Sequence, residues 1–182
     1  NGGRCLTKFA FDKGIHANTY HFTASDGEHE AIIDDNGWVH LKMIDVHEVS
    51  KQNEATVLNT GSPHYIKQVS GISNYDVFSE GKNIRYNNTY NEKGINVNFV
   101  EWNDNELFVR TYERGVEDET LSCGTGVTAV ALASFHLDKT SEKEINIETQ
   151  GGKLKIEFEK ENNTYTNIIL TGPATFVFKG TI

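Results

Sequence analysis

The sequence predicts an α+β protein in which a mostly antiparallel sheet wraps a central helix, and this arrangement occurs twice. Three observations support that class. Many short segments alternate polar and apolar residues with the period of a strand. Helical segments are fewer, and one of them is apolar nearly all round. Similar glycine-containing motifs open the first helix and the apolar one, which indicates related halves.

The strands fall into two groups. Residues 19–46 alternate between turn signals, and Asp35-Asn36-Gly37 suits a hairpin because Asn-Gly tolerates positive φ, so a β-meander is predicted here. The second group of strand-like segments comprises 55–60, 65–69, 95–102, 106–112, 145–149, 153–159, 166–170 and 175–179.

Three helices are predicted. The first runs from Gly3 to about Lys13 with an apolar stripe that should pack, formed by Cys5, Leu6, Phe9 and Ala10. An amphipathic helix is predicted from Tyr75 to about Tyr86. The third, from Gly126 to Leu137, is rich in alanine and valine, so it should be buried with its backbone close to its neighbours.

Composition restricts the classes of partner. The 182 residues carry a formal charge of −9, and the 17 Lys and Arg are scattered without the basic stripe that nucleic acid or an anionic membrane needs. No apolar run approaches the roughly 18 residues of a membrane helix. The two cysteines are expected to be reduced thiols in a cytoplasm, and the histidines show no spacing typical of metal ligands. A small-molecule partner is favoured.

The segment Ser122-Cys123-Gly124-Thr125-Gly126 carries the strongest chemical signal. A cysteine at a helix N-terminus faces unsatisfied N–H groups and the positive end of the helix dipole, which can lower a thiol pKa from ~8.5 to roughly 3.5–7.5. The glycines let a ligand approach the backbone, whose N–H groups could bind a carboxylate. The segment predicts a reactive thiol beside an anion site; a buried structural cysteine is the alternative.

Three other places could contribute to such a site. Glu113-Arg114 ends a predicted strand and could bind the ammonium and carboxylate of a zwitterion, although a surface ion pair is the ordinary interpretation. His64 follows Gly61-Ser62-Pro63 and is predicted to lie in a rigid turn, where an exposed histidine is the alternative. Asn96 and Asn98 share one strand face and could bind a ligand or satisfy the neighbouring backbone.

In this order the motifs resemble those of the diaminopimelate epimerase family, over essentially the whole chain. The family's first motif is Cys-Gly-Asn-Gly-x-Arg-Cys, and the chain carries its tail from Asn1 to Cys5. Thr60-Gly61-Ser62-Pro63-His64 matches a landmark in which Asn usually precedes Pro, so Ser62 departs from the pattern. The remaining matches are Asn96–Phe99, Tyr112–Gly115, Ser122–Gly126 and Gly172–Ala174.

The resemblance implies two similar α+β domains with the substrate in the cleft between them. Residues 1–46 would be the remainder of the first domain, 47–171 the second, and 172–182 a strand returning to the first. The chain is therefore expected to be a fragment, with a catalytic cysteine two positions before Asn1. By itself it is expected to be inactive.

The resemblance also implies an activity, the interconversion of LL- and meso-diaminopimelate on the bacterial route to lysine and peptidoglycan, without pyridoxal phosphate or metal. One thiolate would remove the α-proton while a thiol on the opposite face delivers another. Cys123 would be the second-domain catalytic cysteine, with His64 and Glu113 beside the thiols and biasing their protonation, whereas Cys5 would be non-catalytic. The implied substrate-binding positions are Asn1, Asn96, Glu113, Arg114, Gly124 and Thr125.

The sequence leaves several alternatives open. A proline or hydroxyproline racemase would share the Cys123-Gly124-Thr125-Gly126 type of motif, but the residues around Asn96 and Glu113 match the diaminopimelate pattern. A non-catalytic ligand-binding protein could keep the fold without the chemistry. A phenazine-biosynthesis-like isomerase is disfavoured because such proteins do not rely on a cysteine pair. The sequence also leaves a homodimer open.

Overall fold

Three α-helices and twelve strands are present in the computed structural model, which describes residues 1–24, 27–103 and 106–181. The helices are α1 (Gly2–Asp12), α2 (Val77–Arg85) and α3 (Gly124–His136), and Ile72–Asn74 form a short 3-10 helix. The strands are β1 (Tyr20–Ala24), β2 (Gly27–Ile33), β3 (Val39–Lys42), β4 (Val49–Gln52), β5 (Ala55–Asn59), β6 (Pro63–Gln68), β7 (Asn96–Asn103), β8 (Glu106–Glu113), β9 (Asp118–Thr120), β10 (Glu144–Thr149), β11 (Gly152–Glu161) and β12 (Thr164–Gly172). The predicted α+β class is confirmed.

All the strands belong to one sheet, in the order β1-β2-β3-β12-β11-β10-β8-β7-β6-β5-β4, with β9 paired to β8. The pairs β6–β7 and β8–β10 are parallel, and the other neighbours are antiparallel. A parallel pair needs a crossover connection, and α2 and α3 lie in these two connections. The N-terminal ends of β6 and β7 and the C-terminal end of β8 thereby come close to the N-terminus of α3.

Helix α3 is the centre around which the sheet curls. Val127, Val130 and Leu132 are fully buried, and the helix contacts strands from β5 to β12 on several sides. A helix surrounded in this way needs apolar residues all round, as the sequence predicted. It begins at Gly124, two residues before the predicted start. Among the residues that the structure describes, no helix has the length and apolarity needed to cross a membrane.

The predicted packing of α1 is wrong. Cys5, Leu6 and Phe9 are exposed, whereas Arg4 and Thr7 are buried. The helix lies against β2 and β3 through its other side, where Gly3 leaves room for the side chains of this sheet. The apolar stripe therefore faces away from the sheet.

Other element predictions differ from the structure at particular places. The strands β4 and β9 are short and lack a clear alternation, and the sequence did not predict them. The predicted strand at 175–179 is not formed: residues 173–181 contain neither helix nor strand. Strand β12 pairs with β3, so the sheet runs from 1–46 into 47–171 without interruption. The proposed division into domains, with 172–182 returning to the first, stays a prediction.

Helix α2 covers the other part of the sheet, near the end of β8. Asp76 caps it by accepting a hydrogen bond from the Ser79 amide, which satisfies one unpaired donor of the first turn. Gly81 faces Tyr112 so closely that a Cβ atom there would collide with the tyrosine. This close approach fixes the helix against the strand that carries Glu113.

Candidate active site

Cys123 occupies the N-cap of α3 and is only 6% exposed. Its carbonyl accepts the Val127 amide at 2.9 Å, which starts the helical hydrogen-bond pattern. Its sulfur receives a hydrogen bond from the Gly126 amide and lies 3.5 Å from Oγ1 of Thr125. The thiol is thus held against the first turn of the helix, where the backbone donors lack helical acceptors.

The glycines of this turn are required by close packing. A Cβ atom at Gly126 would collide with Oδ1 of Asn98 and would lie 3.3 Å from the Cys123 sulfur. A Cβ atom at Gly124 would lie 3.0 Å from a methyl group of Leu170 and 3.5 Å from the Asn1 nitrogen. From the sequence, both glycines are attributed to the approach of a ligand. In the structure, part of the space beside them is filled by side chains and backbone of the protein itself.

The expectation of a depressed thiol pKa is wrong for this structure. Burial raises the pKa of Cys123 above its ordinary value, and the Glu113 carboxylate raises it further. The hydrogen bonds from Thr125 and Gly126 act in the opposite direction, because they favour the thiolate. Helix position alone does not decide the charge state, since the desolvation of the sulfur is the larger effect.

The turn before β6 is joined directly to α3. Thr60 donates its hydroxyl hydrogen to the Thr125 carbonyl at 2.8 Å. Gly61 has φ of +105°, a backbone conformation that side chains rarely adopt, and it turns the chain so that Ser62 lies over the helix. Oγ of Ser62 is 3.4 Å from Oγ1 of Thr125.

His64 lies in β6 rather than in a turn, and it is fully buried. Burial and the neighbouring positive charge of Arg114 lower the pKa of His64 to about 3, so the ring is neutral at physiological pH. Nδ1 is 3.1 Å from Nδ2 of Asn98, and Nε2 is 3.0 Å from Oγ of Ser62. The alternative of an exposed turn histidine is therefore excluded.

The side chain of Asn96 makes three hydrogen bonds within the protein. Its Nδ2 donates to Oγ of Ser62 at 2.9 Å and to the Pro63 carbonyl at 3.1 Å. Its Oδ1 accepts the Arg114 amide at 2.9 Å. Both amide hydrogens are thereby used, so a direct contact of Asn96 with a substrate, which stays a prediction, would depend on Oδ1 or on a change of partners.

Glu113 and Arg114 lie at the end of β8, and only Glu113 points into this network. Glu113 accepts the Thr120 hydroxyl hydrogen at 2.8 Å and acts electrostatically on the Cys123 thiol. Arg114 is exposed, and its guanidinium donates to the Lys93 carbonyl at 3.1 Å. The hydrogen bonds of these two side chains lead to Thr120 and to the Lys93 carbonyl rather than to each other, so their geometry does not support the ordinary interpretation of an ion pair.

The residue before α1, Asn1, also lies close to Cys123. Nδ2 of Asn1 donates to the Ser122 carbonyl at 2.7 Å, next to Cys123. Oδ1 of Asn1 accepts a hydrogen bond from the buried Arg4 at 2.7 Å, and Arg4 also donates to the Pro173 carbonyl at 3.3 Å. The motif at the start of the chain is therefore joined both to the residue before Cys123 and, through Arg4, to Pro173.

The predicted site residues are thus gathered around the N-terminus of α3: Cys123, Gly124, Thr125, His64, Asn96, Glu113 and Asn1, with Arg114 at the rim. Sequence reasoning missed the supporting roles of Thr60 and Arg4, although both lie inside motifs that it had singled out. Within the described ranges, no group of three or more His, Cys, Asp or Glu side chains is arranged to hold a metal ion.

The chain is similar to known proteins both in sequence and in fold. The family model described as diaminopimelate epimerase matches residues 56–177. A diaminopimelate epimerase of Flavobacterium psychrophilum is 49% identical over all of this chain and 72% of the relative. One from Chlorobaculum tepidum is 40% identical over all of this chain and 73% of the relative. Among solved structures, a probable proline racemase from Agrobacterium radiobacter shares the fold, with a TM-score of 0.68 at 17% identity over 99% of this chain and 66% of that one. The chain belongs to the diaminopimelate epimerase family.

Proposed function

We propose that the protein is an amino-acid epimerase that interconverts LL- and meso-diaminopimelate without a cofactor, in the synthesis of lysine and peptidoglycan in the cytoplasm. The observation that carries the proposal is the buried Cys123 thiol at the N-terminus of α3, surrounded by Thr125, Glu113 and the His64 network. Family membership supplies the substrate, because the relatives at 49% and 40% identity carry this activity in their names.

Inversion at an α-carbon needs a base on one face and an acid on the other. Cys123 serves as one of them, and a second cysteine two positions before Asn1 in the full-length protein serves as the other. Support for this position comes from Asn1, whose side chain bonds to the Ser122 carbonyl beside Cys123. The roles of the two thiols exchange with the direction of the reaction, since each is left in the state that the reverse reaction needs.

The developing negative charge on the substrate must be stabilised, because an amino-acid α-proton is a very weak acid. The N–H groups of Gly124 and Thr125 at the N-terminus of α3 suit the α-carboxylate, and the positive helix end favours the extra charge. The exposed Arg114 is available for a second carboxylate, and Glu113 for an ammonium group. Enclosure in a dry cleft strengthens each of these interactions.

A racemase of proline or hydroxyproline is the competing enzyme. It shares the fold with this chain, but the solved proline racemase is only 17% identical to it. Incubating the full-length protein with D- and L-proline in parallel with diaminopimelate separates the two activities. Inversion of proline at a comparable rate would overturn the assignment of substrate.

The mechanism is tested by following the reaction of LL-diaminopimelate in D2O with full-length protein that has been dialysed against a chelator. We expect early meso product to carry one solvent deuterium at the inverted carbon, while unreacted substrate stays largely protonated. That pattern arises when separate groups remove and deliver the proton. Return of the original hydrogen to the product, or dependence on added pyridoxal phosphate or metal, contradicts the proposal.

Matched cysteine variants test the role of the thiol. Cys123→Ala should lower kcat by roughly 10²–10⁴-fold or more, the range that general acid–base groups contribute. Cys5→Ala should retain activity, because Cys5 is exposed on the far side of α1. Equal decreases in kcat for the two substitutions would show that Cys123 is not a catalytic residue.

A further inference from the structure

Five side chains form a continuous line of polar contacts that ends at the candidate thiol. Nδ2 of Asn98 is 3.1 Å from Nδ1 of His64, whose Nε2 is 3.0 Å from Oγ of Ser62. Oγ of Ser62 is 3.4 Å from Oγ1 of Thr125, which is 3.5 Å from the Cys123 sulfur. The single oxygen–oxygen step, between Ser62 and Thr125, is long for a hydrogen bond between hydroxyl groups, and such contacts commonly shorten when a ligand binds.

The direction of the hydrogen bonds in this line is fixed at its far end. Nδ2 of Asn98 also faces the Tyr65 carbonyl at 3.2 Å, and its Oδ1 accepts the Thr111 hydroxyl at 3.0 Å. The reverse orientation of the amide would place two acceptor oxygens against each other. Asn98 therefore donates to Nδ1 of His64, and the single hydrogen of the neutral ring must be on Nε2.

The number of lone pairs on Oγ of Ser62 determines where the hydrogen of this hydroxyl group points. Nε2–H of His64 and Nδ2–H of Asn96 both donate to Oγ of Ser62, at 3.0 and 2.9 Å. A hydroxyl oxygen has two lone pairs, so both are filled. The hydrogen of Ser62 is then left for Oγ1 of Thr125, and the hydrogen of Thr125 is left for the sulfur of Cys123.

We propose that Ser62 is a positioning residue that orients the Thr125 hydroxyl so that its hydrogen points at the Cys123 sulfur and stabilises the thiolate. This inference rests on the proposed function, in which Cys123 acts as a base. It gives a role to Ser62, the position at which this chain departs from the motif that it resembles. The same sulfur also accepts the Gly126 amide, so two donors oppose the effect of burial.

The charged groups near the thiol do not supply this stabilisation. Glu113, from the end of β8, disfavours the thiolate, and His64, from β6, is neutral. On the side of α1, the amino group of Asn1 is the positive charge that acts on the sulfur, and it is a backbone amide in any longer chain. A hydrogen bond from a neutral hydroxyl group can therefore stabilise the Cys123 thiolate at all pH values, which the surrounding charged groups do not.

The test measures the pH dependence of Cys123 alkylation by iodoacetamide in the full-length protein, by mass spectrometry of the peptide that carries Cys123. Ser62→Ala should move the midpoint upward by about one pH unit, so that alkylation at neutral pH slows roughly tenfold. Ser62→Thr keeps the hydroxyl and should restore the original midpoint. Ser50→Ala is the matched control, because Ser50 is also a half-buried serine with a hydrogen-bonded hydroxyl.

A double variant separates an effect through Thr125 from a general loosening of the site. Thr125→Val should also raise the midpoint, and adding Ser62→Ala to Thr125→Val should raise it no further. An unchanged midpoint in Ser62→Ala, or fully additive shifts in the double variant, overturns the proposal. Alkylation needs no substrate, so a shift seen in a protein that fails the D2O experiment would refute the proposed function and leave this inference standing.

Discussion

His64 shows how a single residue can link stability to pH. It is fully buried and uncharged, and both ring nitrogens have partners within the protein. Sequence reasoning selected this residue through its motif but placed it in a turn. Its neutral state depends on burial and on the charge of Arg114, neither of which can be inferred from the local sequence.

The protein should lose stability in acid because of His64. The folded pKa of His64 is about 3, below the unfolded value of about 6.5. This contribution is therefore fully present above pH 6.5 and is lost as the pH falls towards 3. Between pH 7 and pH 5 we expect the free energy of unfolding of the wild type to fall by about 2 kcal/mol more than that of His64→Gln, as measured by urea denaturation.

The control for this measurement is an exposed histidine. His16→Gln removes a histidine at the surface and leaves His64 in place, so the extra fall in stability that His64 causes should remain in this variant. If His64→Gln also follows the wild type across this range, His64 is not the group that titrates.

At the scale of elements, the strands with a clear alternation of polar and apolar residues could be predicted from the sequence. The strands without such an alternation could not. Strands β7 and β8 were predicted almost to the residue. The alternation of β8 reflects one buried and one less buried face, whereas β7 is buried on both faces from Asn96 to Val100. The short strands β4 and β9 are formed by pairing with a neighbour rather than by their own pattern. The β-propensity of a segment does not indicate whether a neighbouring strand is available to pair with it.

The approach of α2 to β8 gives a prediction at this scale. Gly81→Ala places a methyl group against Tyr112 and should reduce the free energy of unfolding by about 1–2 kcal/mol, although alanine favours a helix. Displacement of α2 would also disturb the end of β8 at Glu113. Urea denaturation together with the KM of the full-length enzyme measures both effects.

Gly2→Ala is the matched control, since Gly2 also lies in a helix but a Cβ atom there meets nothing within 4 Å. Its stability should stay within about 0.5 kcal/mol of the wild type or rise slightly. Equal stability changes in the two variants would mean that α2 is not held tightly against β8.

At the scale of the whole molecule, one sheet covers separate hydrophobic cores. The largest surrounds α3 and includes Leu132, Ile156 and Leu170, whereas Ala31, Val39 and Leu41 form a small separate cluster beneath the first strands. The sheet is continuous because β12 pairs with β3. A change in the α3 core should therefore weaken the strands that pack on α3 more than the β1–β2 hairpin.

Leu132→Ala tests this expectation. Leu132 is fully buried, so its truncation should reduce stability by about 2–5 kcal/mol. Hydrogen exchange should increase most in α3 and in β10, β11 and β12, and least in β1 and β2. Leu121→Ala is the control, because Leu121 is 68% exposed and should change stability by less than about 0.5 kcal/mol. Uniformly faster exchange in every strand would show that the cores unfold as one.

The sequence by itself determined the α+β class, the buried character of α3, and the set of motifs that meet at Cys123. These follow from local periodicity and from short motifs, which need no knowledge of distant contacts. Only the tertiary structure decided the burial of His64, the outward face of α1, the raised pKa of Cys123 and the direction of the hydrogen bonds through Ser62. Each of these depends on desolvation or on partners far along the chain, and such effects arise only when the strands and helices are packed together.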